Sequence, residues 1–162
     1  MSGEMDHQIE RAVEADGSAI HKLTAAAGVF SPEELDCVAE LWQDYLDHGK
    51  RSGYIFLVCR AAEEIQGYAC FGPTALTKGT FDLYWIAVDP HSHGRGIGRA
   101  LLTQVEAEVR ARGGHLLLIE TSNTPAYASA RRLYERAGCT REAVIRDFYA
   151  IGDDLVLYSI RL

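Results

Sequence analysis

Between Asp89-Pro90 and an amphipathic stretch lies His91-Ser92-His93-Gly94-Arg95-Gly96-Ile97-Gly98-Arg99-Ala100, and no other segment restricts the fold as strongly. Before it, Phe81 to Val88 is a run rich in aromatic and apolar residues that reads as a strand. Pro90 closes that strand, because proline cannot donate to a ladder and restricts the residue before it. After it, Ile97, Leu101, Leu102, Val105 and Val109 recur at helical spacing up to Gly113-Gly114, a helix stop. A glycine turn joining a strand directly to a helix leaves the first helical N–H groups unpaired, and those donors favour an anion. Glycine lets the backbone approach closely, the helix dipole adds positive potential, and Arg95 and Arg99 add side-chain charge suited to a pyrophosphate.

The rest of the chain reads as alternating elements around this segment. His7 to Glu14 fits a first strand. Asp16-Gly17-Ser18 then offers a turn and cap before the helical spacing of Ile20, Leu23 and Ala27. Ser31-Pro32-Glu33-Glu34 is a helix start with a capping box, and Leu35, Val38, Leu41, Trp42 and Tyr45 line one face up to Gly49. Tyr54 to Arg60 and Ile65 to Phe71 form a hairpin. His115 to Thr121 contains Leu116-Leu117-Leu118-Ile119, a continuous apolar run suited to a strand covered on both faces. Thr124-Pro125 opens a helix running through Tyr134 to Gly138, and Thr140 to Tyr149 and Asp154 to Leu162 turn around Gly152-Asp153. The order β-α-α-β-β-β-α-β-α-β-β implies an α/β fold with a mixed sheet flanked by helices.

With 162 residues, the chain is expected to form a single domain spanning 1–162. Its formal charge of -7 and scattered basic residues argue against nucleic acid as a partner and mildly favour a cationic substrate. Cys37, Cys59, Cys70 and Cys139 form no CxxC pair and are expected to be reduced, structural thiols. His91, His93 and His115 have no carboxylate or cysteine at ligand spacing, so no metal is expected. The opening MSGEMDHQIE is unlike a leader, and no apolar run approaches the ~20 residues that span a bilayer. The expected location is the cytoplasm, away from membranes.

Three phosphate-binding loops compete for the glycine segment. A P-loop needs Gly-Lys-Ser or Gly-Lys-Thr at its end, and a dinucleotide fingerprint needs a wider spacing to its third glycine than Gly96 and Gly98 provide. What remains, His93-Gly94-Arg95-Gly96-Ile97-Gly98 after a strand and Asp-Pro, resembles the coenzyme A loop of the GNAT acetyltransferases. Tyr84-Trp85-Ile86-Ala87-Val88-Asp89-Pro90 looks like the fourth strand of that family, and Ala130-Arg131-Arg132-Leu133-Tyr134-Glu135-Arg136-Ala137-Gly138 like its later helix motif. The resemblance covers about Phe81 to Gly138. Glutamine or arginine is usual where His93 stands, asparagine where Tyr127 stands, and an aromatic residue where Cys139 stands.

The resemblance implies a mostly antiparallel sheet of six to seven strands, splayed between strands 4 and 5 and flanked by about four helices. It also implies acetyl-CoA as co-substrate. The pyrophosphate would be held by His93, Gly94, Arg95, Gly96, Ile97, Gly98, Arg99 and Ala100. The backbone of Ile86, Ala87 and Val88 would meet the thioester and pantetheine amides, and the position of Tyr127 the pantetheine arm. Tyr134 matches the tyrosine that hydrogen-bonds the sulfur and acts as general acid, although an aromatic residue on an amphipathic helix is also an ordinary packing residue.

Acyl transfer to an amine requires a neutral nucleophile, a polarised carbonyl and a proton for the departing thiolate. Asp82, on the fourth strand, and Glu120, on the fifth, are rival bases, and either can equally be a solvated or capping carboxylate. The expected activity is direct transfer of an acetyl group to a primary amine of a peptide, protein or small molecule, with a homodimer left open. A catalytically silent coenzyme A sensor and a nucleotide-binding domain are the alternatives. Arg146-Asp147-Phe148-Tyr149 and Gly152-Asp153-Asp154-Leu155-Val156-Leu157 partly resemble the last hairpin of the protein N-terminal acetyltransferases. Tyr149, Asp153 and Asp154 are then candidates to meet a cationic amine, while Gly-Asp-Asp is also a common hairpin turn.

Overall fold

A computed structural model describes residues 7–162; MSGEMD, within the opening expected to be unlike a leader, lies outside the described residues. Among the described residues, seven strands form one sheet: β1 (Gln8–Arg11), β2 (Ile55–Ala61), β3 (Glu64–Pro73), β4 (Thr80–Val88), β5 (Leu116–Ser122), β6 (Thr140–Ala150) and β7 (Asp153–Arg161). Four α-helices accompany them: α1 (Gly17–Ala26), α2 (Pro32–His48), α3 (Ile97–Ala111) and α4 (Ala128–Arg136). The strand order is β1-β2-β3-β4-β5-β7-β6, and β4 runs parallel to β5. This is the mixed α/β architecture expected from the sequence, in the expected element order. The ladder of β4 with β5 runs from Thr80 opposite Leu116 to Leu83 opposite Ile119, so Tyr84–Val88 lies beyond it.

By packing, the residues sort into two units. The first contains the chain up to Phe71 together with Trp85–Val105. Here α2 begins with the expected capping box: Ser31 Oγ accepts the Glu34 N–H at 3.2 Å, and Glu34 accepts the Ser31 N–H at 2.7 Å. Trp42 from α2 meets Phe56 of β2 edge-on at 5.1 Å, and Phe56 stacks on Tyr68 of β3 at 6.1 Å. Thr24 gives its hydroxyl proton to the Ile20 carbonyl, so the Tyr68 hydroxyl donates to Thr24 Oγ1, 2.8 Å away. Gly67 is needed where β3 passes the start of α3: a Cβ there would lie 2.9 Å from Ile97 Cγ2 and 3.0 Å from the Ala87 carbonyl oxygen.

One expectation in this unit is corrected. Asp16 stands at the N-cap of α1 but makes no side-chain cap. Its carboxylate turns inward, 5% exposed, to accept the Val13 N–H at 2.8 Å and Arg60 Nη2 at 2.7 Å on each oxygen. A charge-assisted bond to a guanidinium is stronger than a neutral cap, and β2 brings Arg60 within reach.

The second unit contains Gly72–Tyr84 and Glu106–Leu162. Its core gathers Phe81, Leu83, Val109, Leu117, Ile119, Leu155, Val156 and Tyr158. β5 is not covered on both faces as its apolar run suggested: Leu117 and Ile119 are buried, while Leu116 and Leu118 are half-buried. Among the described residues β6 pairs with β7 alone, and every one of its residues is exposed.

Candidate active site

The glycine segment is held by residues of the first unit. Asp89 starts it: its N–H donates to the Gln66 carbonyl at 2.8 Å, and its side chain accepts the His91 N–H at 2.9 Å, winding Pro90–Ser92 into a 3-10 turn. Ser92, 3% exposed, donates its hydroxyl to Gln66 Oε1. Gln66 of β3 thus ties down both ends of the turn. The His93 ring lies 3.2 Å from the Val88 carbonyl through Nε2, and His7 Nε2 lies 2.8 Å from the Arg95 carbonyl.

Gly94 and Gly96 take φ of +79° and +78°, in the left-handed region that glycine alone enters cheaply. Conformation, not space, demands glycine here. A Cβ on Gly94 would meet nothing within 4 Å, and one on Gly96 only His7 Nε2 at 3.8 Å. Ala100 N–H donates to the Gly96 carbonyl at 2.9 Å, so the N–H groups before it lie ahead of the helical ladder. His93, Arg95 and Arg99 are exposed, Gly98 and Ala100 half-buried, and Ile97 buried as the anchor of the helix. A glycine turn that opens a helix between two exposed arginines has the charge and backbone freedom that a diphosphate would require. In the same unit, Ile86 and Val88 are half-buried and Ala87 is buried.

Asp82, Glu120, Tyr127 and Tyr134 belong to the second unit. Tyr134, on α4, is 5% exposed, and its ring lies 5.6 Å from that of Tyr158. No hydrogen bond engages the Tyr134 hydroxyl among the described residues. Burial raises its pKa well above the ordinary phenol range, and the nearby Cys139, Tyr158 and Tyr127 add to the shift. The Tyr158 hydroxyl donates to Glu135 Oε1 at 2.8 Å, and burial, with that bond, pushes it up to about 12.

α4 is positioned by a polar network that the sequence did not advertise. Arg131 Nη1 donates to the carbonyls of Ser122 at 2.7 Å and Thr124 at 2.8 Å, clamping the helix to the end of β5. Ser122 donates to Asp153 Oδ1 at 2.5 Å and accepts from Thr124 Oγ1 at 2.8 Å. Tyr127 is half-buried at the N-cap of α4.

The two candidate bases differ in their surroundings. Asp82 is half-buried and accepts the Thr74 hydroxyl at 2.6 Å. Glu120 is exposed and lies opposite Leu157 of β7. Because Asp82 is opposite Leu118 in the parallel register, strand alternation puts Asp82 and Glu120 on the same face. In the last hairpin, Asp153 accepts from Ser122 at the end of β5, while Asp154 Oδ1 accepts the Asp147 N–H at 3.0 Å within the hairpin itself. Cys59 and Cys70 are buried, and burial raises both thiols, which makes them poor nucleophiles. Among the described residues no group of three His, Cys, Asp or Glu is arranged to hold a metal, and no helix is long and apolar enough to cross a membrane.

A strand, a left-handed glycine turn and a helix start follow one another on a mixed sheet. The chain matches the Acetyltransferase (GNAT) family over residues 19–139, and it belongs to that family. A crystal structure of a GNAT-family protein from Desulfovibrio desulfuricans is 44% identical, covers 96% of this chain and 98% of its own, and superposes with a TM-score of 0.92. The ribosomal protein bS18-alanine N-acetyltransferase of Escherichia coli K12 is 35% identical over 85 residues, 52% of this chain and 56% of that enzyme. The chain thus spans about half the length of that curated relative. The yncA protein of Salmonella typhimurium, solved with its cofactor acetyl-CoA, shares the fold at a TM-score of 0.72, with 22% identity and coverage of 96% and 94% of the two chains.

Proposed function

We propose that this chain is an acetyl-CoA-dependent N-acetyltransferase that moves an acetyl group directly to a primary amine in a ternary complex. The observation that carries the reading is the pair of left-handed glycines, Gly94 and Gly96, opening α3 with exposed Arg95 and Arg99 in a chain of the GNAT family. Acetyl-CoA supplies an activated thioester. His93 to Ala100 bind its diphosphate through backbone donors and guanidinium charge. The backbone of Ile86, Ala87 and Val88, beyond the β4–β5 ladder, donates to the thioester carbonyl and pantetheine amides. Tyr127 flanks the pantetheine arm. The acceptor is an amine on a peptide, protein or small molecule. A cytoplasmic location accompanies this reading, since reduced thiols such as Cys37 and Cys139 belong to that compartment.

Chemically, the amine nitrogen bonds to the acetyl carbon, the carbon–sulfur bond breaks, and the amine proton leaves as the sulfur gains one. Tyr134 sits at the sulfur end in this reading. A phenol raised above the ordinary thiol value of about 8.5 donates a hydrogen bond readily but gives up its proton uphill. Tyr134 therefore steadies the departing sulfur and passes on a proton only as one arrives from the amine side. Asp82 and Glu120 are the candidate acceptors of the amine proton. Asp82→Asn and Glu120→Gln should separate them: the variant that loses the acidic limb of the kcat/KM profile identifies the base.

Release of free thiol from acetyl-CoA across an amine panel tests the activity, and calorimetry tests binding. Gly96→Ala should weaken acetyl-CoA binding about tenfold or more, since holding alanine at positive φ costs on the order of 1–3 kcal/mol. Wild-type protein with no affinity for acetyl-CoA would overturn the whole reading. Binding without turnover on any amine would instead favour a coenzyme A sensor.

A further inference from the structure

The loop that opens α3 is tied at both ends and loosely held between them. At one end the Ser92 hydroxyl donates to the Gln66 side chain, and the Ser92 N–H donates to the Asp89 carbonyl at 2.8 Å. At the other end the Gly96 carbonyl accepts the Ala100 N–H and starts the helical ladder. Between these ends, among the described residues, the main chain of residues 93–95 makes one hydrogen bond, at the Arg95 carbonyl, 2.8 Å from His7 Nε2. A carbonyl only accepts, so Nε2 carries the proton and donates. Packing does not replace this bond. A cavity of about 240 Å³ lies here, with His7, Gln66, Arg95 and Ile97 in its wall, and a Cβ on Gly94 would meet nothing within 4 Å.

The bond acts on a peptide that glycine leaves free to turn over. Arg95 and Gly96 share a planar trans peptide, so the Arg95 carbonyl and the Gly96 N–H point in opposite directions. Holding the carbonyl towards His7 therefore turns the Gly96 N–H away from it. Rotating the plane by half a turn would reverse both groups and carry φ of Gly96 from +78° to negative values, which glycine enters about as readily. One orientation offers a diphosphate an N–H donor. The reverse orientation offers it a carbonyl oxygen, which repels a phosphate.

We infer that, resting on the acetyl-CoA reading above, His7 is a positioning residue for the coenzyme: it holds the Arg95–Gly96 peptide in the orientation that presents the Gly96 N–H to the diphosphate. β1 places it there. That strand pairs antiparallel with β2, with Gln8 opposite Arg60, and so sets His7 just before the paired stretch although it stands 88 positions ahead of Arg95. His7 is half-buried and its ring makes no other hydrogen bond among the described residues, so the donor serves the loop alone. A loop already in the donor orientation binds without first selecting it, and losing the bond reduces the fraction of molecules ready to bind.

Calorimetry with acetyl-CoA and steady-state kinetics on an amine that the wild type acetylates test the inference, with far-UV circular dichroism and urea unfolding to confirm that each variant folds. His7→Phe keeps a ring and removes the donor. It should raise both the dissociation constant and the KM for acetyl-CoA about fivefold while leaving kcat at saturating acetyl-CoA unchanged. His7→Gln carries an amide N–H within similar reach and should restore most of the lost affinity. A ring that merely packs would show the reverse order, with phenylalanine tolerated and glutamine not. His7→Phe that binds acetyl-CoA as tightly as the wild type overturns the inference and leaves the coenzyme reading standing, as does a His7→Gln variant no better than His7→Phe, or a loss confined to kcat. Wild type that binds no acetyl-CoA overturns the coenzyme reading itself, and this inference with it.

Discussion

Tyr134→Phe should lower kcat by about 10²-fold while leaving the acetyl-CoA dissociation constant unchanged. The phenol ring fills its place against Tyr158, so phenylalanine preserves the packing. Its hydroxyl makes no hydrogen bond among the described residues, so stability should change by no more than ~0.5 kcal/mol. That combination separates a ligand-directed hydroxyl from a structural one. Steady-state kinetics with calorimetry and urea unfolding on the same variant provide the measurement. Unchanged turnover would remove the acid role of Tyr134 and leave the rest of the function intact. A large loss of stability with a proportionate loss of activity would make it a packing residue.

Asp16→Ala should destabilise the chain by about 3 kcal/mol, a larger stability effect than either Tyr134→Phe or Gly96→Ala should have. Truncation leaves the Val13 N–H without its acceptor and strips Arg60, whose side chain is only 17% exposed, of the carboxylate that binds it through both oxygens. Glu10 still pairs with Arg60, but that carboxylate is 43% exposed and better screened, which holds the loss near the lower end for a broken buried pair. Asp16→Asn keeps an acceptor for Val13 and should cost roughly half as much. Asp16→Ala with Arg60→Met should recover part of the loss by removing the stranded charge. Urea unfolding, compared at equal m-values, measures all three. A cost below about 1 kcal/mol for the alanine variant would mean that water already solvates this pair.

Several features were legible because they are written within a few neighbouring residues. Ser31 and Glu34 announce the capping box of α2, and Gly49 its end. The glycine alternation after Asp89-Pro90 announces a turn, and the structure places Gly94 and Gly96 at the positive φ that such a turn requires. Periodicity separated strands from helices and produced the correct element order. Sequence alone therefore determined the loop, the elements and the position of Tyr134 on its helix.

Partners across the fold were another matter. Asp16 looked like a cap until β2 brought Arg60, 44 residues away, beside it. Gln66 gave no sign of holding Ser92, 26 residues on, nor Arg131 of clamping the end of β5. The apolar run of β5 looked doubly covered, yet Leu116 and Leu118 are half-buried, because burial depends on which elements lie over each face. β6 has the composition of a paired strand and stands at an edge. Turn chemistry and periodicity act over one or two turns of chain, so sequence displays them; the partner of a polar side chain and the cover over a strand depend on distant segments, so only the tertiary structure decides them.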